Sequence, residues 1–199
     1  AAVVTTTGGN VTAVPLSIND TTFILQTVDQ RRADLAKRLL DLKTGGRLTD
    51  AQLTLLQRDL DRVNSEYIVI QGRPSLSRTL SLAKDLDVLY FQLHGFAPTV
   101  TYVPIIEGSH FTIFNGRIIL LDDLAVRRIG LENKILDRLY AGKISYAQSN
   151  ELRVRLNDIA TAEDLCRTDG VLTPKESRDI YTAFDKVASR LDTYTGEHS

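Results

Sequence analysis

The chain has 199 residues, with 24 basic and 25 acidic side chains, a net charge of −1 and 43 % apolar content, a composition typical of folded globular proteins. That balance gives no general attraction for nucleic-acid phosphates, and no long basic run compensates for it, so nucleic acid is not an expected partner. No apolar run approaches the roughly 20 residues needed to span a bilayer, and no membrane insertion is expected.

Residues 1–20 are rich in Thr, Val and Gly, with turn signals at Gly8-Gly9-Asn10 and Asn19-Asp20, which predicts extended strands. A first amphipathic helix is predicted over 27–44, with apolar positions at Val28, Leu35, Leu39 and Leu42. Gly46 is placed to end it in the left-handed conformation, Leu48 to be buried, and Thr49 to cap the next helix with Gln52 completing a capping box. That second helix is predicted over 50–66, with one buried stripe at Leu56, Leu60 and Val63. Tyr67, Ile68, Val69 and Ile70 follow as an apolar run between helices, where a solvated linker is normally polar. They are expected to form a short strand or a patch that a partner buries, and are the candidate partner-binding residues. A third helix starts at Ser75, with Leu82, Leu86, Leu89 and Leu93 spaced for helix–helix packing.

The segment from His94 to Pro98 then divides the chain and is too short for a free linker. Around Asn115-Gly116, the runs Phe111, Ile113, Phe114 and Ile118, Ile119, Leu120 predict a hairpin closed by a type I′ turn. Helices are predicted over 123–141 and 146–162, separated by Gly142 and a second capping box, Ser145 to Gln148. A last helix begins at Thr173, with Pro174 in its first position and Glu176 closing a third capping box. The two hairpins are expected to pair with each other or to lie against the helices.

A displacement of 96 positions lays Asn19 on Asn115, Leu25 on Leu121, Arg31-Arg32 on Arg127-Arg128, Gly46 on Gly142 and Leu60 on Leu156. Past Tyr67 the offset becomes 98, so that Leu82, Leu86, Leu89 and Leu93 fall on Ile180, Phe184, Val187 and Leu191. The expected fold class is therefore mainly α with small β-hairpins (α+β). It is read as a tandem duplication of a hairpin plus a three-helix up-down-up unit, with 1–96 as the first lobe and 97–199 as the second.

Little in this pattern points to chemistry. The turns Gly46 to Gln52 and Gly142 to Gln148 resemble the skeleton of an EF-hand loop. Counted from Asp41 or Asp137, however, the third, fifth and twelfth positions hold Lys43, Gly45 and Gln52, or Leu139, Ala141 and Gln148, too few carboxylates for calcium. The loop around Asp169-Gly170 ends in Glu176 but carries Leu165 and Arg167 at positions one and three. An αα-turn with an N-cap accounts for all three. His94, His110 and His198 share no metal-ligand spacing, no serine sits in a nucleophile elbow, and Cys166 is alone, without a partner for a disulfide. No catalytic residue, metal site or cofactor is expected.

Arg31, Arg32, Arg127 and Arg128 form the one charged pair kept at equivalent places. They are expected to make structural ion pairs, with acids such as Asp59, Asp61 and Asp158 within reach, or else to form two symmetric anion sites. The absence of Met and the opening Ala1-Ala2-Val3-Val4 suit a processed product, so an exported location (periplasmic, extracellular or cell surface) is expected. The functional expectation is a non-catalytic protein–protein interaction or assembly protein, its partner itself or another protein, as a homo-oligomer or filament. The alternatives are a small-ligand or calcium-responsive helical module, and an enzyme whose site lies between the lobes without a local motif.

Overall fold

The computed structural model describes residues 19–100 and 105–197 in full and residues 2–7 and 10–15 as backbone; His198 lies outside the described residues. The chain is mostly helical with a small antiparallel sheet. A hairpin of β1 (Ala2–Thr7) and β2 (Asn10–Pro15) is followed by helices α1 (Asp20–Thr44), α2 (Asp50–Gly72) and α3 (Leu76–Phe96). Then come β3 (Ile106–Glu107), β4 (Phe111–Phe114) and β5 (Arg117–Leu120), and helices α4 (Asp123–Tyr140), α5 (Tyr146–Cys166) and α6 (Pro174–Thr195). The strands form two separate sheets, β1-β2 and β3-β4-β5, so the two hairpins do not pair with each other.

The helix boundaries follow from capping chemistry. Thr49, Ser145 and Thr173 each accept a hydrogen bond from the backbone N–H three residues on, and the Gln52, Gln148 and Glu176 side chains reach back to the cap, closing three capping boxes. Gly46 and Gly142 hold φ of 63° and 69°, the left-handed conformation in which a Cβ is strained. Asn115 and Gly116, at φ 48° and 79°, make the two-residue turn between β4 and β5.

Three boundaries differ from the sequence reading. Helix α1 starts at Asp20 and not near 27, because Asn19 is its N-cap, accepting from Thr22 N at 2.8 Å; asparagine suits a turn and a helix cap equally well. The buried Ile24 carries the stripe of Val28, Leu35, Leu39 and Leu42 one turn further back. Asn19 thus caps a helix while Asn115, 96 positions on, turns a hairpin, and the two halves open differently. Helix α2 runs on through Tyr67, Ile68, Val69 and Ile70 to Gly72, because Tyr67 and Ile70 continue the helical spacing of Leu56, Leu60 and Val63 and are buried with them. Periodicity outweighs the strand preference of three β-branched residues. Helix α5 likewise extends to Cys166, four residues past the predicted end at 162.

Helix α3 is the axis of the molecule. It packs against α1, α2, α4 and α5, and every residue from 79 to 90 is buried. The predicted stripe of Leu82, Leu86, Leu89 and Leu93 is inside, but so are Leu80, Ala83, Val88, Tyr90, Lys84, Asp85 and Asp87. One apolar cluster joins α1, α2 and α3 to Phe114, Ile119 and Leu121 of the sheet and to Ala125 and Ile129 of α4. The other gathers α4, α5 and α6 with Val88. Helix α6 buries only Ile180, Phe184, Val187 and Leu191, leaving its opposite face to solvent.

Ser145→Ala removes the hydroxyl that accepts from Gln148 N, leaving the backbone N–H of residue 145 to donate to the Gln148 side chain, and should lower stability by about 1 kcal/mol, read from the urea midpoint at unchanged m-value. An unchanged midpoint would show that this hydroxyl contributes nothing.

Candidate functional site

The sheet β3-β4-β5 has two apolar faces. Its register pairs Phe111 with Leu120, Thr112 with Ile119, Ile113 with Ile118 and Phe114 with Arg117, while Ile106 lies beside Ile113. Alternation sends Thr112, Phe114 and Ile119 inward, where all three are buried. Phe114 meets Phe23 of α1 edge-on at 6.3 Å, the Arg117 guanidinium lies 4.9 Å over the Phe23 ring, and Arg117 pairs with Asp20 at 2.9 Å. The sheet is thereby fastened to the first turn of α1.

The other face carries Ile106, Phe111, Ile113, Ile118 and Leu120 into solvent, with Leu120 74 %, Ile118 63 %, Ile106 57 % and Phe111 38 % exposed. Gly108 lets the Phe111 ring lie close, since a Cβ there would stand 2.3 Å from it. An antiparallel sheet with one solvated face normally presents polar side chains on it. Here the exposed apolar surface is on the order of 400 Å², the size at which a patch on a monomer is often functional. The sequence carries a signal for this: Phe111, Ile113, Ile118 and Leu120 are apolar in one alternation and Phe114 and Ile119 in the other.

The predicted patch at Tyr67 to Ile70 is divided by the helix. Tyr67 and Ile70 are buried and the Arg32 guanidinium stacks 4.1 Å over the Tyr67 ring, whereas Ile68 and Val69 point outward. Two side chains of that run therefore reach solvent, on α2 and away from any strand. The arginine pairs also separate. Arg31 meets Asp87 of α3 at 2.7 Å, and Arg32 meets Asp29 at 2.6 Å and Asn64 at 3.1 Å. Arg127 meets Asp185 at 3.1 Å on the surface, while Arg128 is fully buried, bonded to Leu156 O at 2.9 Å and Glu163 at 3.0 Å. These acids, and not Asp59, Asp61 or Asp158, are the partners. Asp59 instead accepts from Tyr146 at 2.5 Å and Asn150 at 3.1 Å, joining α2 to α5.

Around α3 the helices bury a layer of charge that sequence reasoning missed. Asp85 accepts from Arg153 of α5 at 2.5 Å, from Asn157 at 2.9 Å and from Arg62 of α2 at 3.3 Å. Arg153 also donates to Ser81 O at 2.8 Å. The Lys84 ammonium donates to Asn133 of α4 and to Ile105 O, and lies 3.5 Å from Asp87. Glu163 accepts from Arg128, from Ser77 of α3 and from Arg167. Glu132 of α4 is the exception: it is 1 % exposed, 3.8 Å from Arg153, and neither carboxylate oxygen has a hydrogen-bond partner.

Electrostatics separate these acids. Burial pushes the Asp85 carboxyl up, but the Arg153 and Arg62 guanidiniums and two hydrogen bonds outweigh it and hold it below the ordinary aspartate value. Burial dominates at Glu132 and raises it despite Arg153, Arg128 and Lys84, while burial lowers Lys84 against the pull of Asp87 and Glu132. The space beside the Asp85 cluster, lined by Glu66, Arg78, Ser81 and Asn157, has a volume of only about 10 Å³, the room of a single water.

The remaining candidate groups are dispersed. Gln52, Gln148 and Glu176, at the positions that would close EF-hand loops, accept hydrogen bonds from the cap residues Thr49, Ser145 and Thr173. Among the described residues no group of three or more His, Cys, Asp or Glu side chains could hold a metal ion. His94 Nδ1 lies 2.7 Å from Val100 O, and His110 is exposed. Burial, then the Glu176 carboxylate, pushes the Cys166 thiol up, away from the reactive thiolate. No described helix is long and apolar enough to cross a membrane. In comparisons with known proteins, the chain matches no family model, no curated protein and no solved structure.

Two predictions follow from the charge layer. Asp85→Asn leaves the buried Arg153 with only the Glu132 carboxyl, 3.8 Å away, and should cost about 3–5 kcal/mol of unfolding free energy in denaturant titrations; a loss below about 1 kcal/mol would mean that Glu132 or water replaces Asp85. Glu132 acts in the opposite sense on pH. Burial raises its folded value above the ordinary glutamate range, so its contribution is fully present below that range and is lost as pH rises through the folded value. The stability of wild type relative to Glu132→Gln should therefore fall on going from pH 4 to pH 8, and parallel pH profiles would refute this account of Glu132.

Proposed function

We propose that this chain is a non-catalytic protein–protein interaction or assembly protein, built from two tandem units, whose contact surface is the outer face of β3-β4-β5. The observation that carries the reading is the set of exposed apolar side chains Ile106, Phe111, Ile118 and Leu120 on one face of a sheet whose other face already anchors it. Folding needs the inner face alone. Ile106, Ile118 and Leu120 stay more than half exposed in the monomer, yet they are large apolar side chains where a strand alternating polar and apolar would suffice. A protein surface of matching apolar character is the partner that this chemistry fits. The buried charge layer supports the same reading by fastening the helices into a rigid base for the sheet.

Replacing Ile118→Lys and Leu120→Lys together tests this, because both side chains are exposed and the fold should survive. Wild type crosslinked in its native extract should give protein adducts, and the double variant should lose them at an unchanged melting temperature. If wild type gives neither self-association nor adducts, or if the variant gives the same adducts, the reading fails.

A further inference from the structure

Which protein the sheet meets can be argued from its edge. Strand β5 is the outermost strand of β3-β4-β5. Leu121 N donates to His110 O at 2.9 Å, which makes that pair hydrogen-bonded. Counting along the register, Thr112/Ile119 and Phe114/Arg117 are hydrogen-bonded pairs, and Ile113/Ile118 and Phe111/Leu120 are not. The backbone N–H and C=O groups of Ile118 and Leu120 therefore point away from β4, to an edge with which no other described strand pairs. The same two residues hold the most exposed side chains of the outer face. Natural edges are blunted by charge, proline or a bulge; the one charge of β5, Arg117, is drawn to Asp20 and Phe23 of α1, and Ile118, Ile119 and Leu120 pair with β4 without proline or a bulge.

Resting on the interaction reading above, we propose that the partner is a second copy of this chain, with β5 pairing antiparallel to β5 of the copy about a twofold axis through Ile119. An axis there sets Ile118 opposite Leu120 of the copy, both with outward backbone groups, so each pair exchanges its two N–H···O bonds. Ile119 faces Ile119 of the copy in the alternate, non-hydrogen-bonded position, as ladder alternation requires. The register is thus self-complementary, the condition for a closed twofold contact. Edge pairing covers the outward main-chain groups and the flanks of Ile118 and Leu120, and leaves the outer faces of the two copies joined in one larger apolar surface. Two three-stranded sheets become one of six strands with its apolar outer residues continuous across the axis.

The test uses the purified full chain. Sedimentation should show a dimer in the micromolar range that dissociates at least about tenfold more readily for Leu120→Lys. In a Cys166→Ser background, Ile118→Cys with Leu120→Cys should give an intermolecular disulfide under mild oxidation, since hydrogen-bonded antiparallel pairs place Cα atoms about 5.5 Å apart, within disulfide range. Exchange of the Ile118 and Leu120 amides should slow as concentration rises. A monomer at several hundred micromolar, or a dimer indifferent to Leu120→Lys and without the disulfide, overturns the proposal. A monomer whose β5 amides are nonetheless protected at all concentrations overturns it in favour of an occupant from the same chain. If a monomer still gives Ile118- and Leu120-dependent adducts in native extract, the homotypic pairing falls while the interaction reading stands; if those adducts are missing too, both fall.

Discussion

A helix packed on four sides has no face left to give to water, and α3 is such a helix. Its sequence nevertheless places Lys84, Asp85 and Asp87 within one turn, so each charge has to find its partner on a neighbour. Asp87 finds Arg31 on α1, Asp85 finds Arg62 on α2 and Arg153 on α5, and Lys84 finds Asn133 on α4. Each surrounding helix is thus tied to α3 by at least one polar contact of fixed direction. Desolvating these groups costs several kcal/mol per ion, and an apolar layer of the same volume is often equally stable or more so. The contribution we assign to the layer is orientation: leucines alone would let the four neighbours slide or rotate about α3, and the ion pairs do not.

The second half of the chain shows what happens when that demand is absent. Helix α6 buries Ile180, Phe184, Val187 and Leu191, at an offset of 98 from Leu82, Leu86, Leu89 and Leu93, but among the described residues it packs mainly on α4 and α5 and turns its other side to solvent. Similar apolar stripes therefore serve a central helix in one place and a closing helix in the other. The neighbours of the stripe decide which: Asp185, Lys186 and Ser189 around α6 are content in water, whereas Lys84 and Asp85 have been enclosed with partners. Glu163 shows the same logic at the end of α5, where Arg128, Ser77 and Arg167 converge on one carboxylate and join α3, α4 and α5.

Local chemistry made much of this fold readable beforehand. Three capping boxes, the glycines at 46 and 142 and the Asn115-Gly116 turn each depend on a few adjacent residues, and the structure places all of them as expected. The misplaced boundaries lie where two local preferences compete, at Asn19 between turn and cap, and at Tyr67 to Ile70 between strand propensity and helical period. The charge layer was hidden for a different reason, since whether Asp85 faces water or Arg153 depends on a helix 68 residues away. One signal did exist: the apolar residues of α3, Leu80, Leu82, Ala83, Leu86, Val88 and Leu89, fall all round the helix and leave no polar side.

The sheet poses the complementary problem, surface that the fold does not use. Its inner residues Phe114 and Ile119 are sealed against α1, and Arg117 closes one end through Asp20 and Phe23. Removing the outer side chains would leave that attachment intact, so Ile118 and Leu120 contribute little to holding the monomer together. Apolar groups in water are unfavourable at about 25 cal/mol per Å² relative to burial, and a patch on the order of 400 Å² therefore represents roughly 10 kcal/mol of unrealised burial. Association at 1 M standard state costs 4–15 kcal/mol in lost freedom, which is the same range. Covering that face with an apolar partner would thus give marginal association, whereas the outward backbone groups of Ile118 and Leu120 would fix a register without covering the face.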